Sequence, residues 1–154
     1  MSGRVRPALR QAWARLRGGE LTPKRAALSV GVGLAIGLVP VYGAHWAIVL
    51  AVCVPLRLDA PVAYLAANIS NPLFAPFLLL AEVQIGSKVM TGALLPLTKE
   101  AVVERGPLAF LWQTVVGVAI LAPLAAVVVG AITYAIASFV KKRREKERRE
   151  ARGA

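Results

Sequence analysis

Three stretches of the chain carry no Asp, Glu, Lys or Arg: 31 residues between Arg25 and Arg57, 22 between Asp59 and Glu82, and 35 between Arg105 and Lys141. A run of about 18 or more uncharged, mainly apolar residues is long enough to cross the hydrocarbon layer. A soluble domain of this size would alternate apolar and polar faces instead. The pattern predicts an all-α integral membrane protein. It has a broken, re-entrant helical hairpin near the N-terminus, transmembrane helices after it, and basic cytoplasmic tails.

The first block, Ala26–Leu56, would measure roughly 46 Å as one helix, against a hydrocarbon core of about 30 Å. Pro40-Val41-Tyr42-Gly43 interrupts it. Ala26–Val39 and Ala44–Leu56 are each about 20 Å, too short to cross alone. Two half-length helices around a Pro/Gly turn describe a re-entrant hairpin, with one kinked, tilted span as the competing form. Leu21-Thr22-Pro23 reads as a helix start, Thr22 the N-cap and Pro23 the first helical residue. The next block divides into a short helix over 61–70, a break at Ser70-Asn71-Pro72 and a span over 73–96. Residues 98–107 are expected to be an external loop. Residues 108–140 form one long helix containing Pro123, running into the basic tail 141–154, where Glu145 is placed to pair with Arg149. In residues 1–20, Val5, Leu9, Trp13 and Leu16 fall at helical spacing among arginines, suiting a basic amphipathic segment on the membrane surface or a disordered tail.

Composition sharpens this. The chain is 57% hydrophobic with a mean hydropathy of +0.62. Its net charge of +11 sits at the ends. Residues 1–25 carry seven basic residues against Glu20, and residues 141–154 carry eight against three glutamates, while the middle is neutral. Bases flanking membrane segments orient the protein and attract anionic headgroups, so nucleic acid is not the expected partner. Both termini are placed in the cytoplasm, which requires an even number of crossings: outward over 73–96 and back over 110–138, or four full spans. The expected location is the bacterial cytoplasmic (inner) membrane, multi-pass. The N-terminus does not read as a cleaved signal peptide. Cys53, the sole cysteine, excludes an intrachain disulfide and reads as inert.

The segment 21–97 is the membrane core, and within it Leu21–Gly92 resembles the bacterial membrane family catalogued as domain of unknown function 2062. The resemblance rests on Gly33, Ala35-Ile36-Gly37, Pro40, Gly43 and His45, and continues through Leu56-Arg57-Leu58, Pro61, Asn71-Pro72 and Gly86. Asp59 stands where that family more often has Asn. The resemblance implies a small integral membrane protein without an established activity. Some relatives lie beside or are fused to glycosyltransferase domains, which hints at lipid-linked sugar chemistry.

Candidate chemistry is sparse. Gly33-x-x-x-Gly37 is a small-residue face that lets helices approach closely. Pro40–Gly43 and Ser70–Pro72 are helix breaks at membrane depth, where exposed helix ends could line a polar pocket with His45 and Asn68. The bland alternative is tight turns satisfied by Asn68, Ser70 and Asn71. His45 is expected to bond a carbonyl of the break, since no second histidine exists to share a metal. Glu82 is the most informative charge: in a span it must face the interior, be protonated, or pair with Gln84, Asn71 or, across an intervening bend, Lys88. The alternative is that 61–81 is itself a hairpin, which leaves Glu82 and Lys88 at the surface. No catalytic set, metal cluster or cofactor motif is present, so an enzyme is not expected. The leading function is a transporter- or flippase-like protein with a site between discontinuous helices. A chain this small would work as a homo-oligomer. The alternative is a membrane scaffold whose basic tails recruit a partner enzyme or anionic lipid.

Overall fold

The computed structural model describes residues 10, 14, 21–40, 44–68, 73–96 and 98–153. Most of the N-terminal segment 1–20, and Gly43, Ser70, Asn71 and Pro72 of the expected breaks, lie outside the described residues. What is described is all-helical.

Thr22 caps the first helix, α1 (Pro23–Leu38), its hydroxyl accepting from Arg25 N at 3.3 Å, with Pro23 in the first turn. The chain resumes as α2 (His45–Cys53), so the apolar block divides on either side of the Pro/Gly interruption. After a turn come α3 (Ala60–Ala67), α4 (Ala75–Thr91) and α5 (Lys99–Gly153). The α2–α3 turn closes with Leu58 N on Cys53 O and Arg57 N on Val54 O, Arg57 taking φ 53° where glycine is usual. Asp59 then caps α3, its carboxylate accepting from Val62 N at 3.1 Å, while its own N–H donates to Ser29 Oγ of α1 at 2.8 Å. Asn caps as well as Asp. Asp59→Asn is therefore expected to leave thermal stability within about 0.5 kcal/mol, whereas Asp59→Ala costs about 1 kcal/mol. Unfolding curves in detergent measure both.

Three expectations are corrected. Residues 98–107 are not a loop: α5 is already helical at Lys99, and the connection is the apolar stretch 92–98. Charge marks exposure, and an exposed segment can still be a helix. The bend sits at Gly106 (φ 72°, ψ 162°), because the residue before Pro107 is driven out of the helical region. Pro107 then opens the long arm, where a missing N–H costs nothing. The backbone keeps helical dihedrals through Pro123. The span expected over 73–96 stops at Thr91, where Gly92 adopts φ 75° as a left-handed cap. In the tail, Glu145 pairs with Lys141 at 3.7 Å rather than with Arg149, and Glu150 pairs with Lys146 at 3.8 Å.

Packing is organised by α5, which lies against α1 along its basic-end half and against α4 farther on. Ala27 and Gly31 face Gly130 and Ala126, numbers rising on one helix as they fall on the other, so α1 and α5 are antiparallel. Gly86 meets Gln113 and Glu82 meets Gly117, so α4 also opposes α5. Between α1 and α3 the partners are Ser29 with Asp59, Gly33 with Ala63 and Gly37 with Ala67, a constant offset that makes these two parallel. Small residues permit it: a Cβ added at Gly33 or Gly37 would overlap the backbone of Ala63 or Ala67. Because Gly33 and Gly37 are covered by α3 within the chain, they do not offer a free face to a second copy. Core clusters follow this geometry: Leu21, Ala26, Val62 and Ala137 at the basic end, Val49, Cys53, Ala63 and Ala67 around α2–α3, and Leu34, Leu38 and Ala122 where α1 ends.

Little of the apolar surface is used inside. Leu28, Trp46, Leu50, Phe77 and the row from Leu108 to Phe139 on α5 are exposed. Among the described residues one helix, over Gly106–Ala151, is long and apolar enough to cross a membrane, with a mean hydropathy of 2.7 in its most apolar window.

Candidate functional site

The parallel register of α1 and α3 sets the site. Gly37 lies beside Ala67, so Leu38, the last residue of α1, lies level with the end of α3 at Asn68. Both interruptions therefore start at one height on the bundle, beside Ala122 of α5. Pro40 is exposed past the end of α1. His45 opens α2 and its Nε2 lies 3.1 Å from Val39 O, so the ring satisfies a carbonyl that α1 leaves unpaired. Asn68 donates to Tyr64 O at 2.7 Å, occupying a carbonyl of its own last turn. The residues from which the helices resume, Ala44 for α2 and Phe74 for α4, make no side-chain cap hydrogen bond of their own.

Glu82 belongs to the same region by its height. Leu78 packs with Leu34, Leu38 and Ala122, and Glu82 stands one helical turn farther along α4. Helical side chains lean toward their own N-terminus, so the carboxylate leans back toward the level of the interruptions. Glu82 is 2% exposed and meets no hydrogen-bond or ion-pair partner among the described residues. Its two described candidate partners are engaged elsewhere. Gln84 holds Leu95 through both its amide groups at 2.9 Å, and Lys88 donates to Gly92 O at 2.8 Å.

The α4–α5 crossing holds residues that sequence reasoning missed. Ser87, Gln113 and Thr114 are buried there beside Glu82. Ser87 and Thr114 bond backbone carbonyls, to Ala93 and Phe110 at 3.0 Å each. Gln113 Oε1 is buried with no donor among the described residues. The signal is a matched pair, Glu82-x-x-x-Gly86 on α4 and Gln113-x-x-x-Gly117 on α5, in which each glycine receives the backbone of the other helix's polar residue. The ends of α1 and α3, with His45 and Asn68, are thus brought to one level, Glu82 one turn away, and Gln113 one turn beyond Glu82.

No curated protein and no solved structure is detectably similar to the chain. A family model does match, over residues 6–146, which takes in the helix interruptions, Glu82, the α4–α5 crossing and the start of the basic tail. On that match the chain belongs to the bacterial family described as an uncharacterized protein conserved in bacteria, DUF2062.

Proposed function

We propose that the chain is a multi-pass protein of the bacterial cytoplasmic membrane whose interrupted helices carry a translocation site for an anionic or lipid-linked substrate, with Glu82 as its coupling charge. A core helix of a soluble protein would be mostly covered, but only 17% of the apolar window of α5 is buried, which supports a lipid-facing role. From Phe139 to Trp112 the helix measures about 40 Å, close to the full thickness of a bilayer with its interfacial layers. Lys141 onward then sits in the cytoplasmic headgroup layer and Trp112 in the opposite one. Glu82, level with Gly117, falls in the outer part of the hydrocarbon. Because the chain after α2 is back at the height of Ser29, where Asp59 meets it, α1 and α2 form a re-entrant hairpin entering from the cytoplasm.

One observation carries the functional part: a buried glutamate with no hydrogen-bond or ion-pair partner among the described residues, one turn from the level where two parallel helices stop. Membrane-embedded ionisable groups are costly and mark substrate or ion pathways, and discontinuous helices are where transporters bind.

Two measurements test it. In a Cys53→Ser background, an impermeant maleimide is expected to label Lys146→Cys only from the cytoplasmic side and Glu100→Cys only from the opposite side. Labelling of both from one side overturns the topology. In proteoliposomes, the protein is expected to accelerate dithionite bleaching of inner-leaflet fluorescent phosphatidylglycerol, and Glu82→Gln to reduce that at least tenfold. If the wild type does not exceed empty vesicles, the translocation reading fails. A recruiting scaffold is the second reading, favoured by the exposed, cation-rich helix that α5 extends past Lys141. It predicts that loss of residues 141–154 abolishes function while Glu82→Gln does not.

A further inference from the structure

At the basic end, α5 and the start of α1 border a cavity, open on one side, of about 230 Å³, several times the roughly 30 Å³ that one water occupies. Its floor is apolar, formed by Leu21 and Ala137 of the basal core cluster. Its walls are Thr22 and Pro23 at the N-terminus of α1 and Lys141, Arg144, Glu145 and Arg148 on one face of α5. Residues 137, 141, 144 and 148 recur at helical spacing, so this face is directed at the opening of α1 along three turns.

The charge balance inside is uneven. Glu145 is matched by Lys141 at 3.7 Å. Arg144, half-buried, and Arg148, one turn on, have no acidic partner among the described residues. Two guanidinium forks one turn apart face the positive end of a 16-residue helix. Guanidinium groups suit bidentate contacts to phosphate, and a helix N-terminus adds favourable potential for an anion. The apolar floor suits the first carbons attached to a headgroup.

We propose that this cavity is a phosphate-binding site, filled by the phosphodiester of an anionic phospholipid or by a soluble phosphate. It is separate from the helix interruptions, and only its lipid source rests on the membrane placement above. The test uses the full chain in dodecyl maltoside. Native mass spectrometry follows short-chain phosphatidylglycerol against phosphatidylcholine of the same chains, and thermal unfolding follows inorganic phosphate. Two double variants remove the same charge: Arg144→Gln with Arg148→Gln inside the cavity, and Arg143→Gln with Arg149→Gln outside it. The wild type is expected to retain phosphatidylglycerol at least tenfold over phosphatidylcholine, the first pair to lose about tenfold, and the second less than threefold. Displacement of the lipid by inorganic phosphate, or phosphate stabilisation without lipid preference, assigns the site to a soluble phosphate. Retention that phosphate does not displace assigns it to the headgroup. Equal losses in the two pairs, or a wild type indifferent to both probes, overturn the proposal.

Discussion

Gly117→Val is expected to abolish the monodisperse folded protein in detergent, and Gly86→Val to do the same. The two glycines are reciprocal: a Cβ at Gly117 would overlap the carbonyl of Glu82, and one at Gly86 the carbonyl of Gln113. The obstacle in each case is backbone, which cannot rotate aside as a side chain can. The axes of α4 and α5 would have to separate, opening the contacts of Val83 and Ser87, which are 1% and 0% exposed. Overpacking typically costs 1–3 kcal/mol, and backbone collisions at two points of one crossing belong at or above the upper end, about 3 kcal/mol or more per valine. Alanine recovers about 1 kcal/mol of helix propensity but meets the same carbonyl, so Gly117→Ala still destabilises. Gly130 is the internal control. A Cβ there would lie 3.4 Å from Ala27 O, an ordinary contact. Gly130→Ala is expected to be neutral or to stabilise by up to about 1 kcal/mol. Size-exclusion profiles and thermal unfolding in dodecyl maltoside separate these cases. A Gly117→Val protein that elutes and melts like wild type would show that the helices do not approach this closely.

This crossing also shows where reading along the chain runs out. Helix starts and interruptions rest on local chemistry, so Thr22-Pro23 and the division around Pro40 could be read directly from neighbouring residues. Gly33 and Gly37 announce a close approach by their spacing, though not that their partners are Ala63 and Ala67. Gly117 sits alone in an apolar run and acquires meaning only when Glu82 is laid against it, which needs the relative height of two helices. Height was the missing quantity again for the interruptions: that α1 and α3 end level follows from their parallel register, a property of pairing between segments 30 residues apart. The expected loop at 98–107 failed for a different reason. Its charges suggest a turn, yet Lys99 to Arg105 contains no helix breaker, while the flanking Gly92 and Gly106 both adopt positive φ. Gln84 and Lys88 are candidates for Glu82 by nearness in sequence alone, and the helix turns both away from it. At 100° per residue they project about 200° and 240° around the helix from it, toward the 92–98 connection that they do hold.

Glu82→Met is expected to stabilise the protein while removing its function. Glu82 is 2% exposed, flanked by Val83 and the Gly117 backbone, and makes no hydrogen bond or ion pair among the described residues. Leaving a buried polar group unsatisfied costs about 1–3 kcal/mol, more where it carries charge. Methionine has nearly the same length and flexibility, fills the same space and carries no such penalty. Its melting curve in detergent should therefore rise by the equivalent of about 1–3 kcal/mol. Glu82→Gln, which stays polar and unpaired, should change little. A group that lowers stability by its presence is held for what it does, and sites that bind or move charge are where such costs accumulate. Lipid flux in the same Glu82→Met protein should fall to that of empty vesicles even as the fold hardens. The opposite result, a methionine variant that melts earlier than wild type, means that the carboxylate is anchoring α4 to a donor. Glu82 would then be a structural residue of the α4–α5 crossing, and the helix interruptions would lose the charge that ties them to a substrate.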